Sequence, residues 1–169
     1  MINGDYHRYR DGVLRESGIY VKGKRNGTFT EYYQDGVTPR KETPILQGKI
    51  DGTVKTYFRN GKIEIEKEYK QSVENGRERR FANKTGKQIF ESHYIDGKKD
   101  GEEWEIFEDG RAIRSKTTCH YRNGKLDGSY RVESTWEGKP YITIEGQYTD
   151  GEKSGQWIQH NYQDNTQTC

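Results

Sequence analysis

The sequence predicts an all-β protein, an elongated, curved, single-layer antiparallel meander of about seven hairpin repeats. Apolar and polar residues alternate with a period of two, and no segment sustains the 3.6-residue period of a helix. Glycines recur at steps of 23 to 27 residues, a period typical of repeat architectures. These glycines are Gly4, Gly27, Gly52, Gly76, Gly101, Gly128 and Gly155. We therefore expect strands and almost no helix.

The repeat is clearest in residues 146–157, which read G-x-Y-x-x-G-x-x-x-G-x-W. Close copies begin at Tyr20, Tyr94 and Tyr121. We treat the chain as one repeat domain, residues 1–169, in which each unit contacts its neighbours. The approximate units are 1–22, 23–47, 48–71, 72–96, 97–123, 124–150 and 151–169.

The first elements follow from aromatic spacing and turn residues. Tyr6 and Tyr9 lie on a short strand bounded by glycines, and residues 13–20 run back beside it. The next reversal is expected between Gly23 and Gly27, because a tight turn between twisted strands requires positive φ, which glycine adopts readily.

The later strands repeat this scheme. Residues 27–36, 52–61 and 101–110 each end in an Asp-Gly or Asn-Gly turn. The returning strands alternate, as in Ile63 to Tyr69, where apolar side chains share one face. Three stretches interrupt the pattern and are expected to be longer connections or bulged edges. They are residues 37–44, 71–85 and 134–140.

Composition limits the possible classes of protein. Only 28% of residues are apolar, yet the formal net charge is +2 and the aromatic residues recur at repeat-equivalent positions, so rings can supply the buried area. Two cysteines are too few for a disulfide framework. We recognise no targeting signal near the first strand, and no apolar run approaches the roughly 20 residues of a membrane span. We expect a cytoplasmic protein.

The repeat resembles the MORN motif, and more closely its bacterial variant. Gly23, Gly27, Phe29, Tyr32 and Gly36 match that motif position by position. The fifth unit departs from it, with a glutamate at the expected aromatic position. The resemblance implies a protein that binds other macromolecules and has no activity of its own. Several bacterial members are assigned as antitoxin or immunity partners of protein toxins, whereas eukaryotic repeats are associated with membrane-proximal scaffolds and acidic phospholipids.

Catalytic and metal-binding patterns are weak. His93 and His120 occupy equivalent positions in successive hairpins, about 10 Å apart, too far to share a metal ion or a proton without a third group between them. Cys119 has the parity of Ile113 and Tyr121, which indicates a small buried residue rather than a nucleophile. We recognise no Ser/His/Asp order, P-loop or Cys/His metal spacing. We expect no enzymatic activity, no cofactor, no metal site and no small-molecule substrate.

Charge suggests a binding surface. Residues 100–109 contain six acidic residues and no basic one, and residues 70–87 contain six basic residues. One interpretation is that these neighbouring units form cross-strand ion pairs. The other is that the acidic strand, anchored by its aromatic residues, docks on a basic partner such as a toxin that acts on nucleic acid. The candidate partner-binding residues are Glu102, Glu103, Trp104, Glu105, Phe107, Glu108 and Asp109.

The rival hypothesis is a scaffold that associates with acidic phospholipid membranes or with a larger assembly. Basic side chains would then hold the anionic headgroups. The candidate residues are Arg77, Arg79, Arg80, Lys98 and Lys99. Direct nucleic-acid binding is not expected, because the chain lacks the basic excess of such proteins.

Overall fold

The computed structural model describes residues 1–108, 113–136, 139–161 and 166–168, with backbone alone for residues 136, 140–142, 161 and 166–168. These residues form sixteen β-strands in antiparallel meander order, which confirms the predicted fold class. No helix that could span a membrane occurs among the described residues. The chain divides into two compact units, Met1–Gln88 and Ile89–Cys169.

The first unit contains eight strands. Their order in the sheet is β1-β2-β3-β4-β6-β7-β8, and β5 pairs with β4. The strands are β1 (Gly4–Arg10), β2 (Val13–Val21), β3 (Lys24–Tyr32), β4 (Pro39–Leu46), β5 (Lys49–Ile50), β6 (Gly52–Tyr57), β7 (Ile63–Lys70) and β8 (Val73–Phe81).

The second unit has the same construction. Its order is β9-β11-β12-β13-β14-β15-β16, and β10 pairs with β9. The strands are β9 (Gln88–Ile95), β10 (Lys98–Lys99), β11 (Gly101–Glu108), β12 (Ile113–Arg122), β13 (Lys125–Trp136), β14 (Lys139–Thr149), β15 (Glu152–Asn161) and β16 (Thr166–Thr168).

The hairpin turns are shorter than the sequence suggests. The reversal after β2 consists of Lys22 and Gly23, both at positive φ (50° and 76°), and Gly27 lies inside β3. The prediction that Gly23 and Gly27 share one turn is therefore wrong. Gly27, at φ 82°, belongs to a register shift between β2 and β3, where a bulge also requires the left-handed conformation.

An Asn or Asp that follows one hairpin turn binds the next equivalent turn along the chain. The acceptor residue directly precedes one of the recurring glycines, at Gly27, Gly52 and Gly101. Each side-chain oxygen accepts a hydrogen bond from the backbone N–H of the first turn residue. The pairs are Gln47 with Asn26 at 3.2 Å, Gln71 with Asp51 at 3.3 Å, and Asn123 with Asp100 at 3.0 Å. Successive equivalent turns are thus joined by side chains as well as by the strand ladder.

In each unit one face of the strands, which we call the packed face, buries the rings of the repeat. In the first unit Phe29 is 2% exposed and lies against Gly18, where a Cβ would approach the ring to 2.6 Å. In the second unit Trp157 lies against Gly146, where the corresponding distance is 2.3 Å. A glycine opposite each of these two rings is therefore required for close packing.

A buried ion pair replaces the ring and glycine at one repeat. Glu78 occupies the position of Phe29, two residues after the repeat glycine, and Lys67 stands opposite it. The Lys67 Nζ is 2.9 Å from Glu78 Oε2, and Arg80 Nη2 is 2.7 Å from Glu78 Oε1. Burial opposes ionisation of Glu78, but the hydrogen bonds from Lys67 and Arg80 outweigh it and hold its pKa below the ordinary value.

The predicted interruptions are largely strands. β4 begins at Pro39, and residues 73–81 form β8. Pro39 is tolerated because it is the first strand residue, at a register shift opposite Tyr32. β8 is rich in charge but pairs its charges with β7, as between Arg79 and Glu66 at 3.0 Å. The third stretch is also mostly strand, since β13 continues to Trp136.

Candidate protein-binding surface

Strand β11 carries the acidic residues of the predicted surface, and its alternation divides them between two faces. Glu103 pairs with the buried Cys119 and Glu105 pairs with the buried Phe90, so these glutamates belong to the packed face. Glu102 and Trp104 point to the opposite face, which we call the open face. The structure therefore does not gather the predicted residues into one continuous patch. Asp109 lies outside the described residues.

Glu103 is mostly withdrawn from solvent. Its side chain is 13% exposed and forms an ion pair with Lys99. The Nζ of Lys99 also lies 4.7 Å from the Tyr121 ring centroid. Burial, followed by the nearby Glu103 carboxylate, raises the pKa of Cys119 to about 11 and also raises the pKa of Tyr121. Glu103 is thus part of the interior, and Cys119 is the buried thiol that its parity predicts.

Residues from both faces surround a cavity of about 390 Å³ at the end of β11. Phe107 is its exposed aromatic residue, at 62%. Ile113, opposite Glu108 in the ladder, is also exposed. The lining residues are Ile89, Glu105, Ile106, Phe107, Glu108, Ser115 and Thr117. This arrangement, which we call the Phe107 cavity, combines an exposed ring with two carboxylates.

The open face brings Glu102 between the two predicted surface histidines. The Glu102 carboxylate lies 3.7 Å from His120 Nε2, and its main-chain oxygen lies 3.1 Å from His93 Nδ1. Glu102 is therefore a third group that lies between His93 and His120, which are too far apart to contact each other directly. Among the described residues, no set of three or more His, Cys, Asp or Glu side chains is arranged to hold a metal ion.

A second cavity on the open face, of about 510 Å³, includes titratable groups. Ser129 Oγ is 3.0 Å from His120 Nδ1, so Ser129, His120 and Glu102 form a chain of serine, histidine and carboxylate. The 3.7 Å carboxylate contact exceeds hydrogen-bonding distance, and the Glu102 side chain is 52% exposed. A hydrolytic triad instead uses a buried carboxylate that fixes the histidine tautomer. Arg131 in this cavity is bound by Glu145 at 2.6 Å.

Four of the five basic residues of the rival hypothesis contact glutamates. Within the first unit, Arg77 contacts Glu68 at 3.8 Å and Arg79 contacts Glu66. Arg80 binds the buried Glu78. In the second unit Lys98 is exposed, and Lys99 forms the ion pair with Glu103 described above. The basic cluster of the first unit thus finds acidic partners on its own hairpin.

Sequence reasoning missed two features of this region. It treated Glu103 as a surface residue, although the repeat places it where Phe29 and Trp157 stand in their units. That alignment was the signal for burial. It also did not identify Ser129 beside His120, and no sequence motif marks that contact because it depends on the register of β12 and β13.

Comparison with known families supports the repeat assignment. Residues 50–71 match a family model described as a MORN repeat variant. The matched range includes β6 and β7. This match supports a MORN-repeat protein and indicates a binding or scaffold module. A search among curated proteins gives no significant match to the chain.

Proposed function

We propose that this protein is a non-enzymatic, cytoplasmic binding module that neutralises a protein toxin by covering its active surface. The observation that carries the proposal is the Phe107 cavity, where a ring that is 62% exposed stands beside Glu105 and Glu108. Protein interfaces concentrate their binding free energy in a few aromatic or arginine anchors. Acidic neighbours accelerate association with a basic partner and select for it.

A toxin that acts on nucleic acid fits this surface best. Such a protein carries Lys and Arg side chains where phosphates bind, and an acidic surface with an aromatic anchor is complementary to that region. The MORN repeat variant match supports a binding module, and the resemblance to bacterial members suggests the immunity role. The membrane alternative gains no comparable observation, because Arg77, Arg79 and Arg80 already contact glutamates.

The test begins with affinity capture from the native lysate at low and moderate salt, followed by mass spectrometry. One dominant protein is expected, and its capture should weaken as salt rises. The partner is then expressed alone and together with this protein, and cell growth is measured. Toxicity that is relieved by coexpression supports the proposal, whereas a harmless partner contradicts it.

Variants locate the surface. Phe107→Ala should weaken binding at least about tenfold, since truncating an interface anchor costs about 2 kcal/mol. The pair Glu105→Lys and Glu108→Lys should slow association and reverse the salt dependence. A matched control changes two exposed acids elsewhere, Asp5→Lys and Glu152→Lys. Equal effects of the two charge reversals would exclude the Phe107 cavity as the docking site.

The scaffold alternative is tested in parallel by sedimentation with vesicles. If binding to phosphatidylserine vesicles is lost in Arg79→Gln and Arg80→Gln variants, and no dominant protein is captured, the toxin proposal fails and the membrane role replaces it. Absence of vesicle binding together with a neutralised toxin is the expected pattern.

A further inference from the structure

The first unit contains a cavity of about 530 Å³ that the proposed function does not use. Four arginines converge on it from three strands, β1, β2 and β4. The lining residues are Arg8, Arg10, Asp11, Arg15, Glu31, Tyr32, Gln34 and Arg40. We call this site the arginine cavity.

Two of the arginines reach the cavity because each is the extra residue of a β-bulge. In β2, Glu16 pairs with Arg8 and Leu14 pairs with Tyr9, which leaves Arg15 without an opposite residue. In β4 the same shift leaves Arg40 between the paired residues Lys41 and Pro39. Bulges turn a side chain away from the regular alternation and are common beside functional sites.

The two bulges are one repeat apart and supply side chains to the same cavity. The corresponding shift between β6 and β7 leaves Glu64 as the extra residue. The equivalent position therefore changes from arginine to glutamate along the unit. The cluster is a property of the first repeats rather than a necessary part of the fold.

The ion pairs within the cavity do not balance its charge. Four arginines face two acids, Asp11 and Glu31, which leaves a formal charge of +2 among the lining residues. Arg40 pairs with Glu31, while Arg10 and Asp11 are 3.9 Å apart and both strongly exposed. Arg15 Nη1 donates to the Tyr33 carbonyl at 3.2 Å.

The remaining arginine is also held in place. Arg8 Nε contacts Glu16 at 3.2 Å, and Arg25 binds the other oxygen of this buried carboxylate. A guanidinium has five N–H donors, and the contacts described here use at most one or two of them per arginine. Donors on several arginines therefore remain available to a ligand.

The geometry points to a binding site for a soluble phosphate monoester. A phosphate monoester carries a charge of about −1.5 to −2 at neutral pH, which matches the excess of the lining. Its oxygens suit the forked donors of arginine. The cavity volume falls within the range of about 300–1,000 Å³ typical of small-molecule sites.

The lining favours a free ligand over a lipid headgroup. Tyr32 is the single aromatic residue among the lining residues, and none of them is aliphatic. Peripheral membrane binding normally requires apolar side chains that enter the interface beside the basic ones. The arginine cavity offers charge without such an anchor.

Isothermal titration calorimetry with glycerol 2-phosphate tests the assignment, with glycerol as the uncharged control ligand. Saturable binding with one site per chain is expected for the phosphate and none for glycerol. The pair Arg15→Gln and Arg40→Gln should weaken binding at least about tenfold, because hydrogen bonds to charged groups are among the stronger ones. The Arg10 side chain is 79% exposed. Arg10→Gln should therefore weaken phosphate binding several-fold without disturbing the fold.

The matched control removes two exposed arginine charges elsewhere, Arg77→Gln and Arg122→Gln, and should bind like the native protein. Circular dichroism verifies that every variant is folded. Absence of saturable binding, or equal weakening in the control pair, overturns the site. Binding to phosphatidylserine vesicles without binding to glycerol 2-phosphate also overturns it, because the ligand would then be a membrane surface. None of these outcomes depends on the Phe107 cavity.

Discussion

Replacing Lys67 by Met should expose the energetic role of the buried pair on the packed face. Lys67 Nζ lies 2.8 Å from Glu74 Oε1 and 2.9 Å from Glu78 Oε2, and the Glu78 side chain is only 5% exposed. Met keeps the unbranched stem, so the substitution removes the charge with little loss of packing. Glu78 would then keep Arg80 but lose the cation at its second oxygen.

The expected loss follows from the burial of Glu78. Removing one partner from a buried ion pair costs about 3–5 kcal/mol when the remaining charge is isolated. Arg80 still contacts Glu78 in the variant and is 45% exposed, so we expect a smaller loss of about 2 kcal/mol in the free energy of unfolding. Urea denaturation followed by circular dichroism measures it.

The pH dependence provides an independent check. The pKa of Glu78 is lowered in the folded protein, so its ionisation stabilises the fold above the unfolded pKa, and this contribution is lost as pH falls through the folded pKa. Without Lys67 the folded pKa should rise. The difference between the variant and the native protein should therefore narrow as the pH falls from about 7 through the folded pKa of Glu78, because protonation removes the charge that Lys67 stabilises.

Lys55→Met is the matched control. The Lys55 Nζ is 3.8 Å from Glu66, and its side chain is 38% exposed. A pair of this kind contributes about 0.5 kcal/mol. Two results would refute this reasoning. One is an equal loss of unfolding free energy in the two variants at neutral pH. The other is a loss in Lys67→Met that is as large at acid pH as at neutral pH, because Lys67 would then not stabilise ionised Glu78.

Two further predictions concern the second unit. Gly146→Ala should lower the free energy of unfolding by about 1–3 kcal/mol, because its Cβ would lie 2.3 Å from Trp157; an unchanged urea midpoint would contradict the packing. In a Cys169→Ser variant, Cys119 of the folded protein should react with Ellman's reagent at about pH 8 far more slowly than a free thiol, because burial and the Glu103 carboxylate raise its pKa to about 11. In urea, where the protein is unfolded, Cys119 should react at the rate of a free thiol. Rapid stoichiometric labelling of the folded protein would refute this assignment.

The regular parts of the fold are the parts that the sequence predicts. Glycine spacing and the alternation of Ile63 and Ile65 depend on local backbone geometry, which each repeat specifies again. The different structural roles of Gly23 and Gly27 are harder to predict, since turns and bulges both favour glycine at positive φ. The structure assigns the first to a turn and the second to a bulge.

The candidate sites were less predictable because they depend on register. Repeat alignment alone could have placed Glu103 on the packed face, since it stands where other units have a ring. Phe107 was identified, but its neighbours Ser115 and Thr117 come from the opposite strand. Arg15 and Arg40 are ordinary strand residues in the sequence, and only the bulges bring them together.

The matched partners on the packed face limit how these repeats can be exchanged. The strand opposite Phe29 supplies Gly18, and the strand opposite Glu78 supplies Lys67. Each partner belongs to the preceding repeat. The two residues that must fit each other therefore lie on either side of the junction between two repeats rather than within one. A recombination event or a designed duplication that breaks this junction would set a lysine against a ring or a carboxylate against an empty space. The smallest portable module of this protein is therefore a pair of adjoining half-repeats.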